Sequence, residues 1–567
     1  MTTFNAYYQS ELAFLRDSGK AFSKAYPDAA QYLADSGSDP DVERLLEGVA
    51  FLTGRIRQRL DDGLPEIIHP LIEALLPHFL RPLPALTILQ FSSTSVQRDT
   101  VVVPAGALVD AIPRDGTACR FRTTHAVHVT PLRLVEVRAV AGSTPHLHLQ
   151  FQLPEGARLN GLERLRLFFG DDPVAARALY FCLSQHDGLT LLIEGHNVPA
   201  KMSLSAVGLG PEEALLPHPA TANDSHRLLL EWFAFPTRML ALDLAGFATA
   251  LPPGTTSFII CVAVSTHARL VPPLRSVSIQ LHTTPAVNLF QGEAEPLCIN
   301  GRSTVHRVRP AHVNQQHMGI FSITGVIGRI SGSTRDFPLE RRWHRNQANH
   351  GTWLERRRPA VLGHGADVEL EIDNPPLSEG PLTLSLDVLC TNRDLPTQLG
   401  IGDIRRPGAG VPPGLAVRNL MVPTTPVEPI LGGHLQWRLL GHLSLDRTSL
   451  LTIEGLREAL SLYNIRAQHD QSARHAHQRL SDALISLTSH STVRLLEGIP
   501  IRGLAVTLHL DEEGLGGIGE AHIFGQVLDS FLAGSVTLNA FTRLTLCCSR
   551  SGHRFTWPDR LGLKRIL

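Results

Sequence analysis

Residues Asp39–Phe91 read DPDVERLLEGVAFLTGRIRQRLDDGLPEIIHPLIEALLPHFLRPLPALTILQF, and the spacing of apolar residues changes from helical to strand-like inside this run. Its first half carries helix-start signals. Asp39 stands at the capping position, Pro40 in the first turn, and Asp41 and Glu43 at the positive end of the helix dipole. At about 100° per residue, Val42, Leu45, Leu46, Val49, Leu52, Ile56 and Leu60 fall on one stripe. Burying such a stripe contributes about 10–20 kcal/mol before chain entropy is subtracted. Phe51 lies on the opposite face among Arg44, Glu47, Arg55 and Gln58, flanked by Gly48 and Gly54. Glycine inside a helix costs about 1 kcal/mol against alanine. Two of them are explained by a second element approaching closely on that face, as in a bundle of several chains. The competing reading is a surface Phe with two tolerated glycines.

Working outward, residues 1–36 read as helical. Phe4, Tyr7, Tyr8, Leu15, Phe22, Ala25 and Tyr26 share a face, and Pro27 ends the segment. Four of the six tyrosines lie here (Tyr7, Tyr8, Tyr26, Tyr32), a concentration that fits either an interface or packing on the next helix. After a helix over about 64–76, the prolines of LPHFLRPLP predict a stiff extended connector at 77–84. From Leu86 onward apolar and polar residues alternate between Pro and Gly breaks, as in LTILQFSS and HLHLQFQL. The fold class expected is α+β with mostly antiparallel β. A helical region over 1–85 precedes a β-rich domain over 86–285 with an α/β insert. A second β-rich domain spans 286–430, with a boundary near TTPAVNLFQGEAEP (283–296), and an α+β domain spans 431–567.

Composition limits the function classes. The chain has 567 residues, 43% apolar and 19% charged, which fits globular cores and not disorder. Its net charge of −1 supplies no overall basic field for nucleic acid or an anionic membrane. Seven cysteines without a C-x-x-C pair read as a reduced, cytoplasmic chain. The start has no basic region before an apolar run, and no stretch reaches the length of a membrane span.

Chemical motifs are few. GLGGIG (514–519) matches a dinucleotide-loop pattern, but Asp511, Glu512 and Glu513 precede it and too little chain follows for the usual unit, so it reads as a turn before a helix. Among 27 histidines, His146 and His148 lie two apart, as do His475 and His477. Either pair needs further ligands, such as His469 or Asp470, to hold a metal. The stretch RDFPLERRWHRNQANHGTWLERRRP (335–359) interleaves Trp343 and Trp353 with arginines. It suits an acidic protein partner better than nucleic acid in a neutral chain.

These residues carry a resemblance. YYQSELAFLRDSGKAFSKAYPDAA (7–30) and the opening run are followed, in order, by EWFAFPTRMLALDL (231–244), NLFQGEAEPL (288–297) and LCTNRDLP (389–396). Then come WRLLGHLSLDRTSLLTIEGLREALSLYN (437–464), GEAHIFGQVLDSFLAGSVTLNAFTRL (519–544) and WPDRLG (557–562). This colinear set resembles the TssF family (also ImpG or VasA), baseplate subunits of the bacterial type VI secretion system. Asp559 stands where that family tends to have Pro, Asp446 is another small departure, and 298–380 match least well. The resemblance implies a structural protein with no enzyme activity and no cofactor, similar to the wedge proteins of contractile phage baseplates. It implies two copies joined to one TssG, with TssK and TssE, around the VgrG hub. That assembly is the platform for tube and sheath, docked to the inner membrane complex. Tyr7, Tyr8, Gly48, Phe51, Gly54, Trp343, Trp353 and Trp437 are the candidate partner contacts. Two alternatives remain: a β-rich enzyme acting on carbohydrate through two carboxylates, and a metal-dependent module using His475 and His477.

Overall fold

In a computed structural model the described residues are all but 1–3, 27–39, 62–64, 141–144, 160, 171, 219–223, 266–277, 312–314, 331–335, 342–350, 361–364, 376–381, 432–433, 445–450, 497–498, 535, 537–538 and 563–567. They form two compact units. The first comprises residues 1–74 and 430–444, and the second 75–429 and 445–567. The fold is α+β with mostly antiparallel sheets, as the residue spacing predicts.

The first unit is helical. Helix α1 (Phe4–Ala25) and helix α2 (Pro40–Asp61) form an antiparallel pair. Arg16 bonds Glu43 at 2.8 Å and Arg57 bonds Glu11 at 2.7 Å. Leu12 and Ala50 are buried between the helices. Helix α3 (Pro65–Leu75) and the helix His434–Ser444 complete the unit. The His69 Nε2 lies 3.2 Å from the Leu431 carbonyl, and the Gln436 amide donates to the Ile430 carbonyl at 2.9 Å.

The second unit is built on sheets. A six-stranded sheet runs in the order Ile404–Pro407, Leu108–Ala111, Arg120–Thr123, Thr283–Val287, Leu86–Ser93, Leu415–Asn419. Strands from both sides of residue 285 therefore share one sheet. The segment expected as a Pro-rich boundary is instead the buried strand Thr283–Val287 followed by the strand Phe290–Glu293. Pro285 sits opposite Ile88, and its carbonyl still accepts from the Thr124 N–H and hydroxyl. Residues 290–391 then form two sheets sharing one core, in which Ile323, Leu386 and Val388 pack with Trp353, Leu370 and Ile372.

The expected connector at 77–84 is also different. Pro77–Leu80 is a buried 3-10 turn whose Phe79 ring meets Tyr463 edge-on at 5.4 Å. Proline suits the first position of such a turn, and Phe79, Leu80 and Leu83 supply apolar area to bury.

The C-terminal sheet pairs Ile499–Leu510 with Ala540–Cys548 in parallel, joined through the helix Ile518–Gly534. That helix is buried nearly throughout, from Gly519 and Ala521 to Ala533 and Gly534, so it is a core helix and not the one-faced helix that Phe524, Val527, Leu528 and Phe531 alone predict. Its two ionisable core residues set a pH dependence. Burial pushes His522 down to about 4, and elsewhere burial with the nearby Arg166 pushes His125 down to about 4. A histidine with a lowered folded-state pKa stabilises the fold above its unfolded value near 6.5, and that contribution is lost as pH falls toward 4. Each gives up about 2 kcal/mol by pH 5. Asp529, pushed up to about 6 by burial against the attraction of Arg560, works in the opposite direction and returns about 1 kcal/mol over the same range. The melting temperature is therefore expected to fall between pH 7 and pH 5. A profile that stays flat contradicts the burial of these groups as neutral imidazoles.

Candidate assembly surface

Helix α2 has two faces, and they lie opposite to expectation. The small-residue face, with Ala50 fully buried and Gly54 buried, packs on α1. A Cβ added at Gly54 would stand 3.3 Å from the Tyr8 backbone nitrogen, so glycine lets the two helix backbones approach. The apolar stripe expected to form the core is on the outside. Leu45 is 70% exposed, Leu52 63%, Ile56 61% and Val49 44%. On a helix these four fall within about 60° of one another, one continuous apolar ridge. Val42 and Leu60 have side chains outside the described residues. The correction has a physical reason: helices come closest where side chains are smallest, so Gly54 and Ala50 take α1 and leave the bulky stripe uncovered.

The remaining candidates divide accordingly. Gly54 is occupied within the chain, with Tyr7 and Tyr8 half-buried beside it. Gly48 is exposed, with open space around its Cβ position, and borders the ridge. Phe51 is 50% exposed on a third side of α2, and Trp437 is 48% exposed on the helix His434–Ser444. Phe14 and Phe22 of α1 are exposed as well, and the sequence reading did not single out Phe14.

The described part of the Arg/Trp stretch is packed within its own sheets. Trp353 is buried, its indole N–H donating to the Leu339 carbonyl at 3.0 Å, with Arg341 stacked over the ring at 5.2 Å. Arg356 pairs with Glu371, Arg357 with the buried Glu355, and Arg358 with Glu369 on the neighbouring strand. These arginines balance acids of their own sheet, and among the described residues of the stretch Trp353 and Arg357 are core and not an open docking face. Trp343 lies outside the described residues.

The other motifs resolve similarly. GLGGIG does follow a strand and open a helix in a βαβ unit, contrary to expectation. Gly516 ends the short helix before it with φ of 108°, and a Cβ at Gly519 would stand 2.5 Å from the Arg177 carbonyl. The helix N-terminus is thus packed by the chain itself, with Arg177 paired to Glu520. His475 and His477 lie on the helix Gln471–Ala483, where residues two apart point to different faces and cannot converge on one ion. No group of three or more candidate metal ligands occurs among the described residues.

A buried ion network went unread in the sequence. Glu231 lies fully buried between Arg227 (2.6 Å) and Arg238 (2.8 Å), and its second oxygen accepts from the Leu215 and Leu216 N–H groups at 2.9 and 3.0 Å. The signal was present in EWFAFPTR, where Glu231 and Arg238 stand in an otherwise apolar run. Asp559, the departure in WPDRLG, is held by Arg543 at 2.6 Å and Arg494 at 2.5 Å.

A family model described as "Type VI secretion system, TssF" matches residues 1–564. The chain belongs to the TssF family. It is 30% identical to the type VI secretion system component TssF1 of Pseudomonas aeruginosa, over 98% of each chain. Among solved structures it matches a chain of a TssK-TssF-TssG baseplate subcomplex with TM-score 0.77 and 30% identity, covering 92% of this chain and 99% of that one. It also matches a chain of a baseplate complex from the type VI secretion system with TM-score 0.67 and 26% identity, covering 99% of this chain and 100% of the other. Membership of the TssF family makes the chain a component of that secretion system's baseplate. Among the described residues no helix is long and apolar enough to cross a membrane.

Proposed function

We propose that this chain is a structural, non-enzymatic wedge subunit whose N-terminal helical pair docks into a bundle formed with other baseplate chains. The observation that carries the reading is the exposed ridge Leu45, Val49, Leu52 and Ile56, a helix face of core composition that its own unit leaves in water. The matched relative was solved in a complex with TssK and TssG, which supports those two as partners here. The finer assignment is two copies of this chain to one TssG, with TssE, arranged around the VgrG hub and docked in the cytoplasm at the inner membrane complex. Release of contraction then follows from rearrangement at such interfaces and not from bond chemistry. Residues 1–85 act as the assembly arm, and Phe51, Gly48 and Trp437 extend the contact. Co-expression with the cognate TssG and native mass spectrometry tests this. The expected mass corresponds to two copies of this chain and one TssG. A stable monomer that ignores TssG contradicts the reading.

A further inference from the structure

The C-terminal sheet ends on an unusual edge. Its strand order begins with Leu484–Leu496, which among the described residues pairs on one side only, with Ile499–Leu510. The other side of this long strand presents its peptide groups outward. Natural edges of this length are blunted by lysine, proline, a bulge or a covering element. Here the one irregularity lies at the strand's start, between Leu484 and Ser486, and the run beyond it contains neither Lys nor Pro. Ile485, Val493 and Leu495 are 51%, 64% and 69% exposed. Arg494 is the one formal charge on the strand, and Asp559 of the same chain already pairs with it. An edge with these properties is a template for another strand.

The sequence of the strand names the occupant. LISLTSHSTVRLL reads nearly the same in both directions about His490. Laid antiparallel on a second copy with His490 facing its own mate, Ser489 meets Ser491, Thr488 meets Thr492, Leu487 meets Val493, and Ile485 meets Leu495. Each apolar residue finds an apolar partner, and the hydroxyls of Thr488, Ser489, Ser491 and Thr492 find hydroxyls, the pairs that stabilise neighbouring strands. Arg494 falls opposite Ser486, so no like charges meet. A two-fold interface requires such self-complementarity, and a heterologous partner does not.

We propose that two copies of this chain join through antiparallel pairing of the strands Leu484–Leu496, centred on His490, making one sheet continuous across the pair. This goes beyond the baseplate reading and does not depend on α2. It specifies where one copy of the chain meets another.

Single cysteines in the full-length chain test the register. A residue on the two-fold axis faces itself at a separation that a disulfide spans, whereas residues either side do not. Under diamide, His490→Cys is expected to give a covalent dimer linked at position 490, mapped by peptide mass spectrometry. Thr492→Cys alone is expected to give none, and a mixture of Thr488→Cys and Thr492→Cys chains to give the 488–492 link. Adding Val493→Lys to His490→Cys, an exposed change that leaves the monomer folded by circular dichroism, should cut the dimer yield by about tenfold. Absence of the 490 link in folded chain overturns the proposal. So does equal self-linking at 492, or loss of the 490 link when TssG is co-expressed, which would assign the edge to a different chain. Loss of TssG binding by the ridge of α2 leaves this outcome untouched, so the two readings fail separately.

Discussion

Leu45→Glu combined with Leu52→Glu is expected to abolish capture of TssG while leaving the chain folded. Both side chains are more than 60% exposed, so the swap costs the isolated chain little, within about 0.5 kcal/mol per site. In the assembly each leucine contributes about 1.5–3 kcal/mol when buried. A glutamate in its place must also be desolvated, which adds further cost. Two such sites together predict a loss of at least about 100-fold in affinity, read by co-purification and by titration with TssG. Equal binding by the variant and the parent, with unchanged melting, removes the ridge from the interface. Glutamate at Arg133 and Arg164, exposed arginines on the strands Arg133–Val140 and Arg164–Phe169, serves as the matched control.

Glu231→Ala is expected to give the largest loss of stability. Alanine leaves the buried Arg238 guanidinium without its ion-pair partner and Arg227 with Asp224 alone, and breaking a buried pair from one side costs about 3–5 kcal/mol. The Leu215 and Leu216 N–H groups lose their acceptor at the same time. A fall of about 10 °C in the melting temperature follows, with accumulation in the insoluble fraction. Glu231→Gln keeps an acceptor for the two N–H groups but not the charge, so it should fall between. A variant as stable as the parent would mean that the network is dispensable for the fold.

The class of fold was legible because it rests on local periodicity. The alternation after Leu86 is a property of short windows, and so are the side-chain caps that Asp172 and Thr452 supply in the structure to the helices Pro173–Ser184 and Ile453–Tyr463. What misled was partner choice. An apolar stripe says that a face is to be covered, and nothing in a helix window says by which chain, so Leu45 to Ile56 read as intrachain core. Gly54 read as an interface for the converse reason, since a close approach looks the same whether the neighbour is α1 or another subunit. Trp353 and the arginines around it read as a docking surface because their counter-charges, Glu369 and Glu371, lie on a strand brought alongside only by the sheet register. The parallel pairing of Ile499–Leu510 with Ala540–Cys548 was hidden by the buried helix between them, whose apolar residues continue all round and blur the period.

The central claim is that the exposed ridge of α2 is covered by other baseplate chains. Hydrogen exchange of the full-length chain, alone and in its co-expressed complex with TssG, tests it most directly. Exposed side chains on a two-helix pair leave α1 and α2 among the fast-exchanging parts of the free chain. In the complex, the peptides spanning Leu45–Ile56 are expected to slow by at least about tenfold, with little change in the sheets of residues 290–391. Protection that appears elsewhere while Leu45–Ile56 exchanges as fast as in the free chain contradicts the account.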